Sequence, residues 1–175
     1  PDSTVHKALM RSVLVHIVNK QPAISEIFRV LKRGGKFCAF EPIIRSNTRY
    51  WEILDPMHIE KYEDFKRVEN EIMENPMDSL CNFDQDTIRT NLQIAGFSVP
   101  EVKVQEVKSN YVVQAGMVEQ WFNNPPSPGQ PTTKERYLKY FDEETVNKYM
   151  QDVQNYLIGR EISLKSNAVF INATK

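Results

Sequence analysis

The chain has 175 residues, of which 41% are hydrophobic, and its formal net charge is -1. This length and composition predict one compact domain whose core is large enough to fold without disulfides or a structural metal. The charges form no basic stripe, which disfavours nucleic acid as a partner, and two cysteines are too few for a disulfide framework or a metal site.

Two features of the sequence bear on where the protein acts. No apolar run approaches the length that crosses a bilayer, and the N-terminus has no signal-like character, which predicts a cytoplasmic protein without membrane association. The chain opens on Pro1-Asp2-Ser3-Thr4, which is typical of a turn, and has no initiator methionine. We therefore expect it to be a fragment of a longer protein.

The first 42 residues predict a strand, a helix and a second strand. Val5 to Ile17 is an apolar strand, and a helix begins near Gln21-Pro22. The apolar face of that helix repeats at i, i+3, i+4 and i+7, at Ile24, Ile27, Phe28 and Leu31. Gly34 and Gly35 end the helix, and Phe37 to Phe40 reads as a strand covered on both faces. This order is the unit of a parallel α/β sheet.

Residues 43–83 are too long for a simple connection and predict an insertion with structure of its own. A polar helix in it has apolar residues at helical spacing, namely Tyr62, Phe65, Val68 and Ile72. Asp84 then caps a helix that Gly96 closes, and residues 97–113 predict one or two strands.

The last third of the chain contains one more clear helix and a strand. The loop from Asn123 to Gly129 holds three prolines, which a helix interior or central strand does not accept. Asp142 caps a helix that runs to Gly159, and residues 167–173 form a final strand.

Several of these segments together resemble the class I S-adenosylmethionine-dependent methyltransferases, in particular the small-molecule branch called type 11. The segments are Pro1-Asp2-Ser3-Thr4, Ala8 to His16, Ala23 to Gly35 with its Arg-Val-Leu-Lys-Arg-Gly-Gly ending, Phe40-Glu41-Pro42 and Ala168 to Lys175. The resemblance implies an α/β, Rossmann-like sheet of which this chain supplies the C-terminal strands 4 to 7. It further implies one partial domain over residues 1–175, with helical cap insertions at residues 43–83 and 108–160.

Three departures from the family pattern accompany the resemblance. Arg33 stands where the family usually has proline, and His6 stands where aspartate is common. The family's glycine-rich, cofactor-binding turn is missing, since none of the six glycines forms a Gly-x-Gly cluster. The resemblance therefore implies that half of the cofactor pocket lies outside these residues. We expect the 175 residues alone to bind the cofactor weakly and to expose a sheet edge.

The resemblance also implies where ligands bind. S-adenosyl-L-methionine is the implied cofactor, and its methionine part would lie beside Met10, Arg11 and Ser12, with His16 nearby. Arg11 could equally be an ordinary surface charge. Ligands of open α/β sheets bind outside the carboxyl ends of the strands. The candidate substrate-binding residues at that edge and in the cap are Glu41, Arg45, Tyr50 and Trp51. Glu41 could instead accept hydrogen bonds from loop amides, and Trp121 is better explained by core packing.

Methyl transfer from a sulfonium needs mainly alignment, since the cofactor carries the reactive group. A general base is needed only if the acceptor must lose a proton, and His16, Glu41 and His58 are candidates by residue type. No catalytic residue and no metal ligand can be assigned, and the oligomeric state stays open.

Three functional hypotheses follow. The first is an S-adenosylmethionine-dependent methyltransferase that acts on a small molecule. The second is a non-catalytic α/β interaction module, or an inactive piece of a methyltransferase, which the missing glycine-rich turn favours. The third, a methyltransferase of RNA or protein, is disfavoured by the balanced charge and the bulky insertions.

Overall fold

A computed structural model describes residues 2–175, so Pro1 of the predicted opening loop lies outside the described residues. The chain divides into two compact units, whereas its length led us to expect one core. The first unit contains the chain up to Asn47, Met73–Val107 and Lys165–Lys175. The second contains Thr48–Ile72 and Lys108–Leu164. Of the two predicted cap insertions, residues 48–72 and 108–160 therefore fall in the second unit.

The four strands form a mixed sheet in the order β1-β2-β4-β3. Their bounds are β1 (Val5–Arg11), β2 (Leu31–Pro42), β3 (Ser98–Val112) and β4 (Glu161–Thr174). β1 is parallel to β2, and β4 lies antiparallel on the other side of β2. Among the described strands β1 therefore pairs on one side only, and its Leu9 side chain is 76% exposed.

Six α-helices accompany the sheet in the described chain. They are α1 (Lys20–Val30), α2 (Tyr62–Met73), α3 (Gln85–Ala95), α4 (Met117–Asn123), α5 (Thr133–Tyr137) and α6 (Glu143–Leu157). The predicted caps are present, because the side chain of Asp84 accepts from the Thr87 amide at α3 and that of Asp142 from the Thr145 amide at α6. The sequence did not predict α4 and α5.

Each unit has its own apolar core. In the first unit α1 and α3 pack beside the sheet, and the core includes Leu14, Ile24, Leu31, Phe37, Phe83, Ile88, Leu92 and Val169. In the second unit the core is rich in aromatic rings and includes Phe65, Phe122, Tyr137, Val146, Tyr149 and Val153. The predicted apolar face of α2 is buried there, at Phe65, Val68 and Ile72.

Two predicted boundaries were wrong. The first strand ends at Arg11 rather than Ile17, because Ser12 adopts a positive φ of 53° and a 3-10 turn follows at Leu14–His16. Helix α1 ends at Val30 rather than at the paired glycines, because Leu31 is already extended and pairs with Val5 of β1. One or two strands were predicted for residues 97–113. The structure has a single strand there, β3.

The paired glycines lie in an irregularity of β2 rather than at a helix end. The β1–β2 register shifts between Val5 and Lys7, whose partners are Leu31 and Lys36, so residues 32–35 bulge from the ladder. Gly34 has a φ of +76° with open space around it. At Gly35, an added Cβ would lie 2.7 Å from the Lys32 carbonyl oxygen and 3.1 Å from that of His6.

We therefore expect Gly35→Ala to destabilise the protein more than Gly34→Ala. The backbone must move at Gly35, which costs up to about 3 kcal/mol, whereas alanine at Gly34 meets only the left-handed penalty of about 1 to 2 kcal/mol. Urea unfolding of both variants, followed by far-UV circular dichroism, measures the difference. An equal loss in the two variants would contradict the close approach at Gly35.

Candidate functional site

The carboxyl ends of the parallel strands β1 and β2 meet at one edge of the sheet. We call residues 10–16 and 40–42 the strand-end rim. Arg11 pairs with Phe40 in the β1–β2 register, and the Ser12 amide donates to the Phe40 carbonyl at 2.9 Å. This is the edge at which open α/β sheets bind ligands.

The chain turns sharply at Ser12 as it leaves β1. Its φ of 53° lies in the left-handed region, which a residue other than glycine adopts at a cost of about 1 to 2 kcal/mol. Such strain persists where the surroundings enforce it, and it is frequent at ligand sites. After the turn, the amides of Val13 and Val15 reach the side chain of Glu41 near the end of β2.

Glu41 holds this turn in place from within the first unit. Its side chain has no exposed surface. Oε1 accepts from the Val13 amide at 3.0 Å, and Oε2 accepts from the Val15 amide at 3.1 Å. Of the two roles considered for Glu41, these contacts are those of an acceptor for loop amides, and a substrate contact stays a prediction.

The four predicted cofactor-binding residues come together at the strand-end rim. Met10 is half-buried against the first core, and Ser12 is half-buried at the turn. Arg11 is exposed, with its guanidinium carbon 5.9 Å from the centre of the Phe40 ring. His16 is exposed at the end of the 3-10 turn. Two half-buried residues and two residues with exposed, polar side chains thus lie within one short stretch of the chain.

Arg45 also belongs to the first unit. It follows β2 in a 3-10 turn (Ile44–Ser46), and its guanidinium lies 3.8 Å from a carboxylate oxygen of Asp84. This weak pairing at partly exposed groups adds little stability. The Arg45 side chain is therefore available for other contacts at little energetic cost.

Tyr50 and Trp51 lie in the second unit, in a 3-10 turn (Tyr50–Ile53). The ring of Tyr50 stacks on Phe122 at 5.1 Å between centroids, and burial raises the pKa of its hydroxyl. Trp51 donates from its indole nitrogen to Asn70 at 3.2 Å. Trp121 packs against the second core beside Tyr50, in the role expected of it.

Sequence reasoning missed Glu69, which lies on the buried face of α2. The side chain is 3% exposed, and its Oε1 accepts from the Tyr50 amide at 2.9 Å. Burial raises the pKa of Glu69 to about 7, against the opposing effects of the Tyr50 and Trp51 amides and the nearby Arg49. The signal in the sequence was its spacing, since Glu69 lies four residues after Phe65 and three before Ile72, on the apolar face of α2.

The second unit also has an open groove of about 550 Å³ along α6. Amide side chains line much of it, at Asn123, Asn147, Gln151 and Gln154. Neither Tyr50 nor Trp51 lines the groove. The predicted substrate-binding residues of this unit are thus packed side chains rather than groove residues.

The candidates for a general base differ in their surroundings. His58 is exposed, and its Nδ1 lies 3.5 Å from a carboxylate oxygen of Asp55. His16 is exposed at the strand-end rim, whereas Glu41 is engaged by two amides.

Across residues 2–175 no group of three or more acidic, histidine or cysteine side chains is arranged to hold a metal ion. Nor does any helix in that range have the length and apolarity to cross a membrane.

The strand order and pairing define the class of fold. The parallel pair β1–β2, with the antiparallel β4 on the other side of β2, belongs to a mixed α/β sheet of four strands that matches Rossmann-like methyltransferase structures. The described chain therefore has an α/β fold like that of the class I, S-adenosylmethionine-dependent methyltransferases.

Solved structures of such proteins are similar to this chain along its whole length. A candidate methyltransferase from Bacillus halodurans C-125 matches with a TM-score of 0.50 and 17% identity, over 99% of this chain and 71% of its own. Phosphoethanolamine N-methyltransferase 2 of Haemonchus contortus, in complex with phosphomonomethylethanolamine and S-adenosylhomocysteine, matches with a TM-score of 0.45 and 18% identity. That match covers 100% of this chain and 34% of the nematode enzyme, so the chain spans about a third of that enzyme's length.

Comparisons at the level of sequence found no relative. No protein-family model matches the chain, and no curated protein matches it. The likeness is therefore one of fold, and the B. halodurans structure carries it.

Proposed function

We propose that this chain is part of an S-adenosylmethionine-dependent methyltransferase that acts on a small molecule, and that the strand-end rim contributes to its cofactor site. The observation that carries the proposal is the class I methyltransferase fold combined with a strained turn at Ser12, held by Glu41 at the ligand-binding edge. A methyltransferase fold alone would not explain why a fully buried carboxylate is used to hold this turn.

The residues present fit one side of a cofactor site. Met10, Arg11, Ser12 and His16 surround a turn whose backbone conformation is enforced, which suits contacts made through the backbone. The 175 residues contain no Gly-x-Gly turn, so they do not supply the whole site. When bound, the cofactor supplies a methyl group on a sulfonium, and the protein aligns the acceptor and excludes water.

The acceptor is proposed to be a small molecule because the net charge is -1 and no basic stripe suits a nucleic acid. Arg45 and the aromatic pair Tyr50 and Trp51 are the proposed substrate-binding residues, with the segments 43–83 and 108–160 as the cap. Glu41 is proposed to influence substrate binding only indirectly, by holding the turn whose amides it binds. The cytoplasmic location predicted from the sequence belongs to the same proposal.

The direct test is calorimetric titration with S-adenosylhomocysteine. The intact gene product, with any segment that precedes residue 1, is expected to bind saturably, and the 175 residues alone are expected to bind weakly. Absence of binding by the intact product would overturn the proposal. A clear saturable signal from the 175 residues alone would overturn the expectation that half of the site lies elsewhere.

Ser12→Val is expected to weaken cofactor binding by the intact product about tenfold or more, because a β-branched residue resists a positive φ and shifts the turn. Ser3 is a matched control, since its φ of 52° is nearly the same and it lies outside the strand-end rim. Ser3→Val should cost similar stability and leave affinity unchanged. Equal affinities for the two variants would contradict the proposed position of the cofactor.

The alternative function is a non-catalytic interaction module, which the lack of a Gly-x-Gly turn favours. The coding sequence upstream of residue 1 discriminates between the two. A glycine-rich turn after a predicted strand favours the methyltransferase, and a start codon next to residue 1 favours the module.

A further inference from the structure

The segment that follows β1, residues 12–19, is held by two buried charges of opposite sign. Glu41 accepts from the amides of Val13 and Val15 near its start. Near its end, the Lys20 ammonium donates to the carbonyl oxygen of Ile17 at 2.9 Å. The turn proposed to line the cofactor is therefore fixed at both ends by ionised groups.

Lys20 is an unusual residue for its position. It is the first residue of α1, yet only 4% of it is exposed. Besides Ile17, its ammonium donates to the Ser79 carbonyl oxygen at 3.1 Å and to the Asn82 Oδ1 at 2.5 Å. The Phe83 ring lies 4.2 Å from the same nitrogen. Three acceptors match the three protons of an ammonium group, whereas a neutral amine has only two to give.

Asn82 extends the network to the other side of the segment. Its Nδ2 donates to the Val18 carbonyl oxygen at 2.8 Å and to the Pro76 carbonyl oxygen at 3.2 Å. The carbonyl oxygens of Ile17 and Val18 are thus both bound, one by Lys20 and one by Asn82. Lys20 and Asn82 together tie residues 17–18 to the turn that follows α2.

Burying the Lys20 ammonium at this position costs free energy, because the charged group loses its contact with water. Burial lowers the pKa of Lys20 to about 8, although the carboxylates of Glu41 on β2 and of Asp78 on the turn after α2, with the Cys81 side chain on that turn, oppose the effect. An apolar side chain of similar volume would fill the site without that cost. What it could not do is fix two backbone carbonyls and a side-chain amide in one geometry.

We propose that Lys20 is a positioning residue for the strand-end rim: its ammonium, through Ile17 and Asn82, holds residues 12–19 in the conformation that meets the cofactor. This inference rests on the proposed function and adds to it a residue outside the rim. Lys20 itself touches no reacting atom.

The test compares Lys20→Met with Lys7→Met, an exposed lysine on β1, in the intact gene product. Two quantities are measured, the amide hydrogen exchange of residues 13–19 and the affinity for S-adenosylhomocysteine. In Lys20→Met, exchange of these amides should rise about tenfold or more and affinity should fall about tenfold, with Lys7→Met unchanged. Unchanged exchange, or faster exchange at full affinity, overturns the inference.

The pH profile separates positioning from a merely structural role. Between pH 7 and pH 9.5 the wild-type affinity should fall more steeply than that of Lys20→Met, because only the wild type loses the ammonium. Ionisation of the ligand affects both proteins equally. Parallel profiles overturn the inference while leaving the proposed function intact.

Failure of the proposed function has a different signature. If the wild-type gene product does not bind S-adenosylhomocysteine at all, the proposed function is overturned, and with it the role of Lys20 toward the cofactor. If Lys20→Met does not fold, Asn82→Ala replaces it in the same comparison, since it removes one acceptor of Lys20 and both bonds to Val18 and Pro76. The hydrogen-exchange and affinity outcomes then support or overturn the inference, whereas the pH profile is compared only for Lys20→Met.

Discussion

Replacing Glu41 with alanine is expected to lower the free energy of unfolding by roughly 3 to 5 kcal/mol, the largest effect we predict for a single side chain. The side chain is fully buried, and alanine leaves the amides of Val13 and Val15 without their acceptor. It also removes the negative charge that most favours the ammonium form of Lys20. Urea unfolding followed by far-UV circular dichroism measures the loss.

Two further variants show whether the effect comes from buried hydrogen bonds. Glu26→Ala removes an exposed carboxylate paired with Arg29 on α1 and should cost far less than Glu41→Ala, because solvent screens the exposed pair. Glu41→Gln keeps the shape and one acceptor oxygen, so its loss should lie between the other two. If Glu41→Ala were as mild as Glu26→Ala, the amides would not depend on this carboxylate.

The second large effect is a pH dependence that Glu69 gives to the second unit. Its pKa is raised by burial to about 7 in the folded state, from an ordinary value of 4.5. Below pH 4.5 the Glu69 carboxyl is protonated in both the folded and the unfolded state, and its contribution to the free energy of unfolding is fully present. As the pH rises from 4.5 to 7 the unfolded chain ionises the carboxyl while the folded protein still holds its proton, so stability falls, by about 3 kcal/mol in total once the pH has passed through 7.

Glu69→Gln should remove this dependence, because the amide does not titrate. The difference in unfolding free energy between Glu69→Gln and the wild type should therefore shift by about 3 kcal/mol in favour of the variant between pH 4.5 and pH 8. Tryptophan fluorescence reports this unit specifically, since both tryptophans, Trp51 and Trp121, lie in it. Glu63→Gln, at an exposed position of the same helix, should show no such shift; a constant difference for Glu69→Gln would contradict the prediction.

Local signals in the sequence predicted those helices that have strong caps and a clear apolar face. Helices α3 and α6 begin where Asp84 and Asp142 cap them, because capping and periodicity act within a few residues. The same reasoning placed the end of α1 at Gly34, whereas the helix ends at Val30. There a long-range contact prevailed, because Leu31 pairs with Val5 of a neighbouring strand.

The candidate site was predictable only in part, for the same reason. The resemblance to the methyltransferase family predicted Met10, Arg11 and Ser12 at the carboxyl end of the first strand, which is the ligand-binding edge. The left-handed turn at Ser12 was not visible, since serine carries no signal for a positive φ. Glu41 had two possible roles, and only the positions of the Val13 and Val15 amides distinguish between them.

The amino-acid sequence by itself determined the class of fold, a Rossmann-like α/β sheet, because strand, helix and strand patterns are local and the resemblance lies in contiguous motifs. The fold comparison confirmed that class. Only the tertiary structure decided that the chain forms two units and that Glu41 and Lys20 hold one turn between them. Burial and hydrogen bonding between residues far apart in sequence set those features, and no local pattern encodes them.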